Sequence, residues 1–110
     1  LSGDSILKSK FQKEVAEQIK KIYPHDIIYY EVYVPKDRLY LDFFIPTLGM
    51  VVECDGIQHD SYVPFFHGDF AGFAQQKDRD YKKLTWCKLN NLVLIRIKYG
   101  QSFASAIQSL

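Results

Sequence analysis

The stretch LYLDFFIPTLGMVVECD, Leu39–Asp55, decides how the rest of the chain is read. Two strand-like runs, Leu39–Ile45 and Met50–Cys54, flank the turn signal Pro46-Thr47-Leu48-Gly49. So short a connection predicts an antiparallel hairpin. Asp42 interrupts the apolar first run, Glu53 interrupts the second, and Asp55 follows at its end. By the two-residue period of a strand, Leu41 and Phe43 share one face, and Tyr40, Asp42 and Phe44 the other. In the second run Val51, Glu53 and Asp55 share a face, opposite Val52 and Cys54. A charge among apolar neighbours is costly to bury unless it is paired or binds a metal. The nearest base in sequence is Arg38, an even offset from Asp42 and on its face.

Working outward, Ile27–Val34 reads as a preceding strand closed by Pro35-Lys36-Asp37-Arg38, which makes an antiparallel meander of three. Before it, Leu7, Phe11, Val15, Ile19 and Ile22 recur at helical spacing and predict a helix over Ser5–Ile22. Asp4 or Ser5 is its expected cap and Pro24 its stop. Glu14 falls at the edge of the apolar face and Gln18 inside it. After the hairpin, residues 56–72 read as a loop carrying four glycine or proline positions and the aromatics Tyr62, Phe65, Phe66 and Phe70. Phe73–Leu89 then reads as a second helix, stopped by Asn90-Asn91, with Phe73, Tyr81 and Leu84 as its apolar face. Trp86 and Cys87 near its end, like most tyrosines, read as core. Leu92–Lys98 is a largely buried strand, expected to pair in parallel with Met50–Cys54 through the helical crossover. Ser102–Leu110 closes the chain as a short helix. The order is αβββαβα, an α/β domain with a mixed β-sheet flanked by helices.

One hundred and ten residues suit a single domain. The first residue is Leu1 rather than Met, the mark expected of a piece excised from a longer chain. No run approaches the roughly 18 apolar residues of a membrane span. Two cysteines, Cys54 and Cys87, are too few for a disulfide scaffold and point to a reducing, cytoplasmic setting. The formal net charge of +1 speaks against a nucleic-acid partner until it is resolved along the chain. Residues 1–38 carry seven Lys/Arg against six Asp/Glu; residues 39–76 carry five carboxylates and no base; residues 77–110 carry seven bases against two carboxylates. An acidic middle therefore lies between more basic flanks.

Asp42 and Glu53 become cross-strand neighbours at about 4.8 Å strand spacing if the hairpin register is right. Converging carboxylates with no base between them repel, and a proton or a divalent cation relieves the repulsion. Hard oxygen ligands favour Mg²⁺ or Mn²⁺, and the cysteines cannot build a zinc site. His59, just beyond the strand, is a candidate base, water-orienting group or phosphate contact. Gln76, Asp80 and Lys83 form a polar stripe at i, i+4 and i+7 on the second helix, able to overlook the cluster.

Asp42, ten residues, then Glu53-Cys54-Asp55 resembles the D-x(n)-(D/E)-x-K signature of the PD-(D/E)XK nuclease superfamily. The string Val52-Glu53-Cys54-Asp55-Gly56-Ile57-Gln58-His59, with Trp86-Cys87-Lys88-Leu89-Asn90 and Leu94-Ile95-Arg96-Ile97, is similar to small Vsr-like endonuclease domains of phage, mobile-element and homing nucleases. The resemblance covers roughly residues 9–99 and implies a restriction-endonuclease-like core. Two departures stand out: Leu41 precedes Asp42 where proline is usual, and Asp55 occupies the place of the catalytic lysine. The resemblance then leaves Lys83 or His59 to take that lysine's role. It also implies a glutamate on the first helix, for which Glu14 is the candidate, with Gln12 nearby.

The function implied is Mg²⁺-dependent hydrolysis of DNA phosphodiesters, with Mn²⁺ as substitute, in a bacterial or phage-infected cell. Asp42, Glu53 and Asp55 would bind the metal, Lys83 or His59 would orient or activate water, and Glu14 would position a second ion or water. Gln76, Lys77, Arg79, Lys82 and Lys83, with Lys8, Lys10 and Lys13, would hold the DNA backbone. Cutting both strands would need a homodimer or a second event, and sequence reading a fused domain. Two alternatives accompany this expectation: a non-catalytic nucleic-acid-binding module on a degenerated nuclease fold, and a protein-interaction domain using exposed Tyr and Phe.

Overall fold

In the computed structural model, which describes residues 9–56 and 70–108, the chain opens with helix α1, Lys10–Ile22. Its cap is Ser9, whose extended backbone and Oγ, accepting from the Gln12 N–H at 3.1 Å, place the start five residues later than expected. A side-chain oxygen here satisfies one of the donors that every helix start leaves orphaned, worth about 1 kcal/mol. Val15, Ala16 and Ile19 face inward and are fully buried, as the spacing requires.

Strands β1 (Tyr29–Val34), β2 (Leu39–Ile45) and β3 (Met50–Asp55) form the antiparallel meander. Helix α2, Phe70–Leu89, begins three residues earlier than expected and crosses to β4, Val93–Lys98, which pairs in parallel with β3. Helix α3, Phe103–Gln108, follows. The sheet order is β1-β2-β3-β4, an α/β arrangement with a mixed sheet flanked by helices. Asn91, in the left-handed region at φ 57°, ends α2, and the Leu92 N–H returns to the Cys87 carbonyl at 2.9 Å. Gly49, at φ 59°, closes the short 3₁₀ turn Pro46–Leu48 between β2 and β3, a conformation that costs glycine little.

Two apolar layers lie on opposite sides of the sheet. On one side α1 and α3 cover Phe43, Ile45, Met50, Val52, Ile95 and Ile97. On the other, Leu41 and Val51 meet Cys87 of α2, with Val32, Val34, Phe44, Trp86 and Leu94 around them. Trp86 and Cys87 thus pack as expected. Tyr29, Tyr33, Tyr40, Tyr81 and Tyr99, by contrast, are exposed rather than core.

Leu41 and Phe43, expected on one face, belong to different layers. The reason lies one strand away. Glu31 adopts φ 50°, and β1 swaps faces there: Tyr30 packs with the α1 layer, Val32 with the α2 layer. The register aligns Tyr30 with Phe43 and Val32 with Leu41, so β2 swaps at the same rung, where Asp42 lies opposite Glu31. A left-handed residue breaks the two-residue alternation, and both strands change phase together. Val32, Val34 and Leu41 near the hairpin tip consequently serve α2, and Tyr30, Phe43 and Ile45 toward its base serve α1.

Candidate active site

Asp42 sits at that switch, and the sheet opens there. Pairing between β2 and β3 runs from Ile45↔Met50 to Phe43↔Val52. At the next position the two strands are joined by side chains instead of a backbone ladder. The Asp42 N–H donates to Glu53 Oε2 at 2.7 Å, and the Cys54 N–H donates to Asp42 Oδ2 at 2.8 Å. Each carboxylate thereby replaces a carbonyl that the parting strands withdraw, which satisfies both amides and fixes both acids.

The remaining oxygens go to the helices. Gln12 Nε2 of α1 donates to Asp42 Oδ1 at 3.2 Å. Lys83 Nζ of α2 pairs with Glu53 Oε1, and both side chains are largely buried. Asp42, Glu53 and Lys83 are therefore one connected group, with Gln12 as its fourth member.

Glu53 is only 4% exposed. Burial pushes its carboxyl up to about 7; the Asp42 charge pushes the same way, and Lys83 and the Asp42 N–H oppose. Desolvation disfavours the charged form more than one ammonium group repairs. The Cys54 thiol is driven up as well, by burial first and then by Asp42, Glu53, Asp55 and Glu31, so it stays protonated. Burial also raises Cys87. Neither cysteine is a nucleophile in this setting.

Asp55 projects to the α2 side but is held by Arg96 of β4, with Nη1 at 3.1 Å from its Oδ1. The same guanidinium reaches Asp80 Oδ1 at 3.6 Å and donates through Nη2 to the Asp80 carbonyl at 3.2 Å. The bases that reading along β2 and β3 alone does not find are thus supplied by α2 and β4. Among the described residues no cluster of three or more His, Cys, Asp or Glu forms a metal cage. The donor chemistry of the Asp42–Glu53 pair, two hard carboxylates held together, still suits one divalent cation.

Helix α2 explains the stripe. Gln76, Asp80 and Lys83 are half-buried and Cys87 fully so, whereas Tyr81 is 68% exposed and Leu84 39%. The polar stripe, not the apolar one, faces the sheet, because the sheet presents Glu53, Asp55 and Arg96 at that height. Lys77, Arg79 and Lys82 lie exposed on α2, with Lys82 paired to Asp78 at 3.1 Å.

Glu14 is exposed and lines a separate cavity of about 480 Å³ with Phe11, Gln18 and Tyr99. The α1 side chain that reaches Asp42 is Gln12's, one turn from the Ser9 cap. His59 and Lys8 lie outside the described residues. Neither Arg96 nor Glu31 stands out in the sequence as a site residue. The parallel register that puts Arg96 level with Glu53 was the available signal for the first; nothing in the sequence announces a left-handed glutamate in a strand.

No family model matches the chain, and no solved structure matches it. It is 38% identical over 62 residues to "Uncharacterized protein 307L" of Invertebrate iridescent virus 6, and 38% identical over 63 residues to "Uncharacterized protein 033L" of Invertebrate iridescent virus 3. These matches cover 56% and 57% of this chain and 32% of each relative, so the similarity spans about a third of those proteins.

Proposed function

We propose that the chain is a metal-dependent endonuclease domain that hydrolyses DNA phosphodiesters on a restriction-endonuclease-like core, in keeping with its resemblance to the PD-(D/E)XK nucleases. One observation carries the reading: Asp42 and Glu53 are held against each other where β2 and β3 part, with Lys83 on Glu53. Sheet strands close side-chain gaps by default, so an opening filled by two acids and a lysine is costly unless it serves a site.

Asp42 and Glu53 would hold Mg²⁺ or Mn²⁺, which when bound supplies charge neutralisation at the phosphate and a more acidic water. Gln12 fixes the orientation of Asp42, as outer partners of metal ligands do. Lys83 stands in the role of the lysine that Asp55 displaces: its ammonium keeps the acid pair together and offers a proton donor or water-orienting group. Asp55, through Arg96 and Asp80, anchors α2 at the height that brings Lys83 over the sheet. The basic residues of α2, Lys77, Arg79 and Lys82, approach the DNA backbone electrostatically. A single such site cuts one strand, so the domain nicks unless a second copy or a fused DNA-reading domain joins it. The relatives, both viral, support a viral origin for the domain and nothing about its chemistry.

Plasmid nicking in Mg²⁺ and Mn²⁺ tests the reading. Wild type converts supercoiled DNA to open circles, EDTA stops it, and Asp42→Ala and Glu53→Ala each abolish it. Cleavage that survives both substitutions overturns the assignment. A second reading, a non-catalytic nucleic-acid-binding module, is favoured by the internal pairing of Glu53 with Lys83 and Asp55 with Arg96. It requires DNA binding that chelator leaves unchanged and no cleavage with any metal.

A further inference from the structure

The turn between β1 and β2 carries a strained residue, Arg38, four positions before Asp42. Pro35-Lys36-Asp37-Arg38 closes with the Arg38 N–H on the Pro35 carbonyl at 3.3 Å, and Arg38 itself lies at φ 54°. That left-handed position ordinarily goes to glycine or asparagine. An arginine there keeps the turn strained, and strain of this kind persists at sites that use it.

The side chain has a destination. Arg38, Leu39, Tyr40, Gln76, Arg79, Asp80 and Lys83 line a cavity of about 260 Å³ between the hairpin tip and α2. Among the described residues, neither Arg38 nor Arg79 has an acidic partner, and Asp80 is already engaged by Arg96. Lys83, on the cavity wall, is also the residue on Glu53. Three cationic side chains, one from the turn and two from α2, thus line one cavity, and Lys83 alone joins it to the acid pair.

We propose that this cavity is a subsite for a backbone phosphate of the nucleic-acid strand, flanking the phosphate at Asp42 and Glu53. It rests on the nuclease reading for the strand's path, but phosphate capture is independent of cleavage. Arg38 and Arg79 supply planar forks that match phosphate oxygens, and Gln76 adds a neutral donor. The subsite also gives polarity to the bound strand, because the hairpin tip lies to one side of Asp42 only.

Fluorescence anisotropy of a short labelled DNA duplex, in EDTA and across a series of salt concentrations, tests this separately from cleavage. Arg38→Gly is the informative variant. It relaxes the turn, so its melting temperature is expected to hold or rise, while its affinity falls about fivefold at physiological salt and its salt slope drops by about one. Arg79→Gln, which leaves the turn untouched, is expected to do the same to binding. Lys36→Gln removes an equal charge from the same turn but outside the cavity and is expected to leave the slope unchanged. Equal slopes in wild type, Arg38→Gly and Arg79→Gln overturn the subsite, as does an equal drop in Lys36→Gln. Inorganic phosphate is titrated in parallel. Tight binding of the free ion with no loss of DNA binding in Arg38→Gly overturns the strand assignment in favour of a lone-anion site. A wild type that binds with the expected arginine dependence yet never cleaves supports the subsite and overturns the nuclease reading instead.

Discussion

Replacing Glu53 with glutamine makes the folded chain more stable at pH 8 and has only about a quarter of that effect at pH 5. The Glu53 carboxyl titrates near 7 in the folded chain against an ordinary value of 4.5. The folded state therefore holds this proton more tightly than the unfolded state. As pH rises from 4.5 to 7 the unfolded chain releases it first, and the folded chain loses stability across that window. A shift of that size corresponds to about 3 kcal/mol, with burial and the Asp42 charge as its main causes. Glutamine keeps the shape and the acceptor for the Asp42 N–H but never ionises. Lys83 sees the same neutral neighbour that it sees in wild type at low pH. The variant is thus expected to melt about 3 °C above wild type at pH 5 and roughly 10 °C above it at pH 8. Circular-dichroism melts of both proteins at half-unit pH steps, in EDTA, measure this directly. Parallel curves, or a variant less stable than wild type at pH 8, would refute the reasoning, because Lys83 would then outweigh burial. The stabilised variant should also be inactive, the usual relation between a strained site and its function.

Other expectations follow from the same contacts. Mn²⁺ affinity, read by calorimetry, should fall about tenfold for each pH unit below 7 and level off above it, since the metal needs Glu53 ionised. Gln12→Ala should leave the melting temperature within a few degrees and weaken Mn²⁺ binding about tenfold or more, by releasing Asp42 Oδ1; an unchanged affinity would remove Gln12 from the site. Arg96→Gln removes the guanidinium that joins Asp55 to Asp80 and should cost about 2–4 kcal/mol in urea unfolding, with Asp55→Asn recovering part of it. Phe43→Ala, at a fully buried position, should cost about 3–5 kcal/mol and leave the acid pair's chemistry otherwise intact.

Much of the architecture was legible because it follows from local pattern. The turn Pro46–Gly49 forces the β2–β3 hairpin, the α2 length forces a crossover, and the alternation in Met50–Asp55 puts Glu53 and Asp55 on one face, where Lys83 and Arg96 find them. Reading Asp42 and Glu53 as neighbours needed only the hairpin register. What escaped depended on tertiary context. The phase change at Glu31 and Asp42 is set by one backbone dihedral, which residue identity does not reveal. The inward turn of the α2 polar stripe depends on charges from three other segments, whereas amphipathicity judges a helix alone. Gln12 reaches Asp42 and Glu14 does not because Val15, Ala16 and Ile19 fix which face of α1 meets the sheet, and residues 12 and 14 lie about 200° apart around the helix.

The exchange of backbone for side-chain hydrogen bonds at the opening gives the protein two built-in probes. The amides of Asp42 and Cys54 answer to carboxylate oxygens rather than to carbonyls of a ladder. Their proton resonances and exchange rates therefore follow the ionisation of Glu53 and the occupancy of both acids, while amides a residue or two away in the ladders follow only the stability of the sheet. Two backbone signals, read without any label or substitution, separate events at the acid pair from unfolding around it.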